Sequence, residues 1–128
     1  MDSVITSVHH GIVFILDPRN KEVQIPEYVK NELVAATDSC ISVVTQAEVD
    51  GEVEIALAFS EAAPSDLIHI ARGNIRVPHG TLAVDTADEG ILFERDVPKG
   101  RATVSIWVDD MKHPTRVFIN VERALGPV

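Results

Sequence analysis

Residues 41–59 read ISVVTQAEVDGEVEIALAF, in which two runs of strand-forming residues flank an acidic turn. Apolar residues alternate with polar or small ones in both runs, a pattern typical of strands that are buried on one face. A three-residue loop at 49–51 aligns Ile41 with Phe59 and makes one face of the pair wholly apolar, with Gly51 at the left-handed position of the loop. The stretch therefore predicts a β-hairpin with one buried face.

The other face of this predicted hairpin is acidic. It sets Glu48 beside Glu52 and Gln46 beside Glu54, with Asp50 in the loop. The surrounding 41 residues, from Asn31 to Ala71, contain eight carboxylates and no lysine or arginine. Like charges that face each other across strands cost on the order of a few tenths of a kcal/mol, so the fold alone does not require this clustering. Two interpretations remain: a solvated outer face, and a binding face for a basic partner.

The rest of the chain is also strand-like, with one exception. Residues 9–17 are apolar on both alternations, as expected of a central strand that is covered on both sides. The exception is 26–36, where Pro26 suits the first residue of a helix and apolar residues then recur at spacings of four and three. The sequence predicts an all-β, two-sheet antiparallel β-sandwich, jelly-roll-like, with this one short helix. Further strands are expected at 67 to 71, 74 to 77, 81 to 85, 90 to 95, 102 to 109 and 115 to 122.

Length and charge limit the classes of function. With 128 residues and 45% hydrophobic content, the chain is expected to form a single domain, 1–128. The net charge of −9 disfavours nucleic acid and anionic membranes as direct ligands, because attraction to phosphate dominates such binding. A single cysteine excludes an internal disulfide, and the start of the chain lacks the basic and apolar regions of a signal peptide. We therefore expect a cytoplasmic protein.

The residues that could act in catalysis or metal binding are scattered along the sequence. His9 and His10 are adjacent, and adjacent side chains on a strand point to opposite faces, which disfavours a shared metal ion. Cys40 precedes an apolar strand and is expected to be a small buried hydrophobe. The acids Asp109 and Asp110 could recruit a cation, but loops of this composition are usually only solvated. We expect no catalytic site, no metal and no cofactor. The remaining histidines lack a ligand spacing: His69, His79 and His113.

The only tryptophan lies on the polar side of its predicted strand. In 102–109 the core face is the alternate set that excludes Trp107, and in 115–122 Phe118 is likewise out of phase with the core residues. If the two strands pair, Phe118 extends the Trp107 surface. Either the predicted helix or a loop packs over this surface, or an exposed aromatic patch marks a partner site or a homodimer contact.

Several short features follow one another along the chain: His10-Gly11-Ile12-Val13-Phe14, the short helix from Pro26 to Val34, Ile41-Ser42-Val43-Val44-Thr45, a hairpin, and Val97-Pro98-Lys99-Gly100 leading into a strand with Trp107. This order resembles the bacterial competence-protein J family, inhibitors of a DNA-uptake nuclease, and similar small uncharacterised bacterial proteins. The resemblance implies a β-sandwich without catalysis that binds another protein and masks the basic cleft of a nuclease.

Three hypotheses of function follow. The leading one is a non-enzymatic acidic module, inhibitor-like or immunity-like, that binds a basic protein such as a nuclease. The second is a small-molecule or carbohydrate-binding sandwich that uses Trp107 and Phe118 for stacking, and the third is a metal-dependent barrel enzyme with converging histidines. For the leading hypothesis the expected contact residues are Glu48, Asp50, Glu52, Glu54, Trp107 and Phe118.

Overall fold

Strands dominate the computed structural model, which describes residues 2–86 and 90–122, with the backbone only for His9. Two 3-10 turns interrupt the strands, at His9–Gly11 and Glu48–Asp50. Within the described residues there are ten strands: β1 (Asp2–Thr6), β2 (Ile12–Leu16), β3 (Val34–Ala36), β4 (Cys40–Val44), β5 (Val53–Phe59), β6 (Ile68–Val77), β7 (Thr81–Thr86), β8 (Gly90–Asp96), β9 (Gly100–Val108) and β10 (Arg116–Glu122).

The strands form two five-stranded sheets. The first sheet has the order β1-β5-β10-β9-β6, and the second has the order β3-β4-β2-β7-β8. The pairs are antiparallel except for β5 and β10, which run parallel. The predicted all-β, two-sheet sandwich is therefore confirmed, with one parallel pair that the sequence did not indicate. The segments predicted at 67 to 71 and 74 to 77 form the single long strand β6, which carries an irregularity between His69 and Ala71.

One apolar cluster fills the space between the sheets, because each strand turns alternate residues inward. In the first sheet the inward positions include Val104, Ile106 and Val108 of β9, which is the phase that the alternation predicts. In the second sheet Val13 and Ile15 of β2 are fully buried. β2 is the central strand of its sheet, as expected for residues that are apolar on both faces.

The predicted hairpin between β4 and β5 is wrong, because the two strands belong to different sheets. β4 pairs with β2 and β3, whereas β5 pairs with β1 and β10. Alternation specifies only which residues face the core, and Ile41 and Ile55 face it equally well from opposite sheets. The acidic turn is therefore the connection that crosses from one sheet to the other at one end of the sandwich.

The predicted helix at 26–36 is also wrong. Its last residues form the edge strand β3, and Asn31 has a left-handed backbone conformation with a φ of 71° that a helix does not accommodate. A helix of this length is marginal without tertiary support, and the ladder with β4 takes its place. Val29 and Leu33, two of the residues that suggested a helix face, instead line a pocket with Phe14 on the outer face of the second sheet, in a segment that we call the strap (residues 17–33). No helix in the described part of the chain is long and apolar enough to cross a membrane.

Candidate protein-interaction surface

The acidic turn projects from one end of the sandwich, and we call residues Glu48–Glu52 the acidic tip. The amide of Asp50 donates to the carbonyl of Ala47 at 2.9 Å, and the amide of Gly51 donates to the carbonyl of Glu48 at 3.2 Å. These bonds close a short 3-10 turn with Glu48, Val49 and Asp50 exposed on it. Val49 at its apex is 92% exposed. The tip therefore presents an apolar side chain with a carboxylate on each side.

The base of the tip is fixed by its neighbours. The Gln46 side-chain amide donates to the carbonyl of Glu52 at 2.9 Å, and the Gln46 backbone amide donates to the carbonyl of Pro114, also at 2.9 Å. The amide of Thr45 donates to the carbonyl of Gly11 at 2.8 Å. Gly11 has a φ of +63°, and a Cβ there would come within 2.8 Å of the carbonyl oxygen of Thr45, so this close approach needs glycine. The tip is thus held between the turn at His9–Gly11 and the loop that precedes β10.

Glu54 is separated from the other three predicted acids by an ion pair. It lies on the outer face of β5, where its carboxylate is 3.7 Å from the guanidinium of Arg116. Arg116 also donates to the carboxylate of Asp66 at 2.6 Å, and this hydrogen bond lowers the pKa of Asp66. Within the described residues, neither Asp50 nor Glu52 has a lysine or arginine at ion-pair distance. The two carboxylates without a described lysine or arginine partner, Asp50 and Glu52, are therefore at the tip, whereas Glu54 shares Arg116 with Asp66 beside it.

Asp109 and Asp110 organise the neighbouring loop. The Asp109 carboxylate accepts the amides of Thr115 and Arg116, each at 2.9 Å, and the hydroxyl of Thr115. Burial alone would raise the pKa of Asp109, but these hydrogen bonds outweigh it and hold that pKa below its ordinary value. Asp110 accepts the amides of His113 and Lys112, which lower its pKa. Both acids therefore serve the loop, and among the described side chains no group of three or more His, Cys, Asp or Glu could hold a metal ion.

Trp107 and Phe118 are neighbours, as the sequence predicts, but they do not form an exposed patch together. They are directly opposite in the ladder between β9 and β10, and their ring centroids are 5.8 Å apart in an edge-on arrangement. Phe118 is only 2% exposed, because Leu67 and Ala63 from the loop after β5 pack over it. Trp107 is half-buried, with the His69 ring 4.7 Å from its own. The covering element is a loop, which was one of the two expected covers.

A cleft that the sequence did not reveal lies beside the acidic tip. It has a volume of about 540 Å³ and runs between the strap and the loop before β10. Its walls include two exposed apolar side chains, Tyr28 at 66% and Met111 at 54% exposure. Tyr28 was assigned to the predicted helix and Met111 to a solvated loop, so no local pattern brings them together. The remaining lining residues are Asn31, Glu32, Leu33, Val44, Thr45, Lys112 and His113.

The other reactive groups lie apart from this end. Cys40 is fully buried, and burial raises the pKa of its thiol to about 12. His79 lies at the opposite end, where its backbone amide donates to the buried carboxylate of Asp17 at 2.9 Å. Asp85, on the outer face of the second sheet, has one buried carboxylate oxygen without a hydrogen-bond partner in the described structure. Burial raises the pKa of Asp85. The side chain of His9 lies outside the described residues.

The fold belongs to a class of two-sheet β-sandwiches that includes a protein of known structure. No protein-family profile matches the chain, and no curated protein matches its sequence. A solved structure does match: ComJ from Bacillus subtilis, inhibitor of the DNA degrading activity of NucA, has a TM-score of 0.72 and 13% sequence identity. The match covers 97% of this chain and 96% of ComJ. The predicted resemblance to the competence-protein J family is therefore confirmed at the level of the fold.

Proposed function

We propose that residues 1–128 act as one non-catalytic module that binds and inhibits a basic protein, such as a DNA-degrading nuclease. The observation that carries this proposal is the acidic tip, a hydrogen-bonded exposed turn in which Asp50 and Glu52 have no lysine or arginine at ion-pair distance among the described residues. ComJ, which has the same fold, inhibits the DNA degrading activity of NucA. The proposal includes a cytoplasmic location, with which the single, buried thiol of Cys40 agrees.

The tip suits electrostatic attraction to a basic partner. Exposed carboxylates contribute mainly to encounter, since they steer an oppositely charged surface into register before contact. The net charge of −9 adds a long-range attraction to the same basic partner. A nuclease must present cationic groups to the phosphates of its substrate, so an acidic turn that occupies the same groups competes with DNA. Inhibition then requires binding alone and no chemistry from this chain.

The ligand-binding alternative has less support from the site. A stacking platform requires accessible ring faces, and the loop after β5 covers Phe118. We therefore propose Trp107 and Phe118 as supports of the surface next to the tip: the buried ring of Phe118 positions Trp107, and Trp107 presents its remaining exposed edge.

The test is capture followed by an inhibition assay. The purified chain is immobilised and exposed at low salt to a lysate of the source organism, and each retained protein is identified and purified separately. We expect a basic nuclease that elutes as salt is raised and whose cleavage of plasmid DNA stops at a stoichiometric amount of the chain. Retention of acidic proteins only, or a retained nuclease whose activity is unchanged at saturation, would contradict the proposal.

A further inference from the structure

We infer that the cleft between Tyr28 and Met111 receives a large apolar side chain of the basic partner while the acidic tip contacts its cationic groups. This inference rests on the proposed function and adds the part of the interface that would determine residence time. Tyrosine and methionine are enriched at protein interfaces, and a cluster of exposed large apolar side chains is uncommon on a protein that has no partner.

The cleft and the tip are parts of one continuous surface. Thr45 lines the cleft, and the next residue, Gln46, holds the carbonyl of Glu52 at the base of the tip. On the other side, His113 lines the cleft while the adjacent Pro114 accepts the amide of Gln46. A partner that covers the tip therefore also covers the mouth of the cleft.

The distribution of charge indicates which part of the partner goes where. Glu32 and Lys112 are the only aspartate, glutamate, lysine or arginine residues among the lining residues of the cleft, and their formal charges cancel. The cleft therefore suits an uncharged apolar group, whereas the tip suits cations. Four of the described arginines that form ion pairs, Arg72, Arg76, Arg95 and Arg101, lie toward the far half of the sandwich. A partner with basic groups beside a protruding apolar side chain complements this end and not the other.

Both walls of the cleft are fixed without a partner. Asp110 accepts the amide of Lys112 at 2.7 Å and the amide of His113 at 3.0 Å, which sets the path of the wall that carries Met111. On the opposite wall, the amide of Glu32 donates to the carbonyl of Val29 at 3.1 Å and the amide of Val44 donates to the carbonyl of Leu33 at 2.8 Å. A preformed cleft lowers the conformational entropy that binding must remove.

The test compares dissociation rates for the captured and purified basic partner. A variant with both Tyr28→Ala and Met111→Ala is set against Ile91→Ala, because Ile91 is also an exposed apolar residue, at 46%, but lies on β8 at the opposite edge of the second sheet. We expect the double variant to dissociate about tenfold to a hundredfold faster with a nearly unchanged association rate, and Ile91→Ala to match the wild type. Tyr28→Phe should retain slow dissociation, because the contact uses the ring.

The outcomes separate this inference from the proposed function. If variants of the tip slow association while the Tyr28 and Met111 double variant dissociates like the wild type, the cleft is not used and the inference is overturned. If Ile91→Ala accelerates dissociation as much as the double variant does, the effect is not specific to the cleft and the inference fails as well. If neither set of variants changes binding to a captured and inhibited basic protein, the partner uses another surface and the inference is overturned while the proposed function stands. If no basic protein is retained, both the inference and the proposed function are overturned.

Discussion

The acidic tip and the pair formed by Trp107 and Phe118 were both expected to contact a partner, and the fold treats them differently. The tip projects beyond the end of the sandwich on a closed turn, with Val49 almost fully exposed at its apex. Phe118 is instead covered by the loop after β5 and forms a small second core with Ala56 and Ala58 on the outer face of the first sheet. A side chain on the outward face of a strand can therefore be exposed or buried, depending on whether a loop packs over it.

This difference predicts that substitutions in the two regions change different quantities. Removal of a charge from an exposed turn leaves packing unchanged and alters encounter with a partner. Truncation of a covered aromatic leaves a cavity and lowers the stability of the fold. The two regions can be distinguished by measuring unfolding and association separately on the same variants.

The largest expected effect is on stability, from Phe118→Ala. Loss of a buried phenyl ring should reduce the free energy of unfolding by about 3 to 5 kcal/mol, measured by urea denaturation. Val49→Ala is the matched control, since Val49 is an apolar residue at the exposed tip, and it should change stability by less than about 0.5 kcal/mol. A small effect of Phe118→Ala would mean that the covering loop is open in solution, and the comparison between the two regions would fail.

The next effect concerns Asp109, which fixes the loop beside the tip. Asp109→Ala removes three hydrogen bonds and should cost about 2 kcal/mol at pH 7. The pKa of Asp109 is lowered in the folded state, so its carboxylate stabilises the fold above its ordinary pKa, and this contribution disappears as the pH falls through the folded pKa. The cost of Asp109→Ala should therefore shrink on acidification, as followed by unfolding at a series of pH values.

For Asp85 we expect the opposite dependence of folding stability on pH in the same experiment. Its pKa is raised in the folded state, so protonation favours folding, and this contribution is present below about pH 4 and lost as the pH rises through the raised pKa. Asp85→Asn should therefore raise the urea midpoint at pH 7, and the gain should fade on acidification. A gain that stays constant with pH would show that the carboxylate is not desolvated in the folded protein.

The smallest effect is expected at Glu54, which lies between the two regions. Its exposed ion pair with Arg116 should contribute less than about 1 kcal/mol, and Glu54→Gln should leave association with a basic partner within about twofold of the wild type. A loss of association as large as that caused by changes at Asp50 and Glu52 would place Glu54 in the binding surface together with the tip.

Local patterns predicted the parts of the fold that depend on one face of one strand. Alternation in β9 and β10 identified the core residues and the pairing of Trp107 with Phe118, and the Asp50-Gly51 dipeptide located the turn. The pairing between strands could not be predicted from the sequence, because the same alternation in β4 and β5 fits one sheet or two facing sheets. The cleft was missed for a related reason: Tyr28 and Met111 are more than eighty residues apart in the chain and meet only through the tertiary fold.

Electrostatic attraction by the acidic tip is tested by the association rate with the captured basic partner as a function of salt. The variant combining Glu48→Gln, Asp50→Asn and Glu52→Gln changes the net charge from −9 to −6. A control variant that combines Glu22→Gln, Glu94→Gln and Asp96→Asn makes the same change at exposed positions away from the tip. We predict that the tip variant associates about tenfold more slowly at low salt and loses most of the salt dependence, while the control stays close to the wild type. Equal slowing by the two variants would contradict the account, because net charge alone would then explain the attraction.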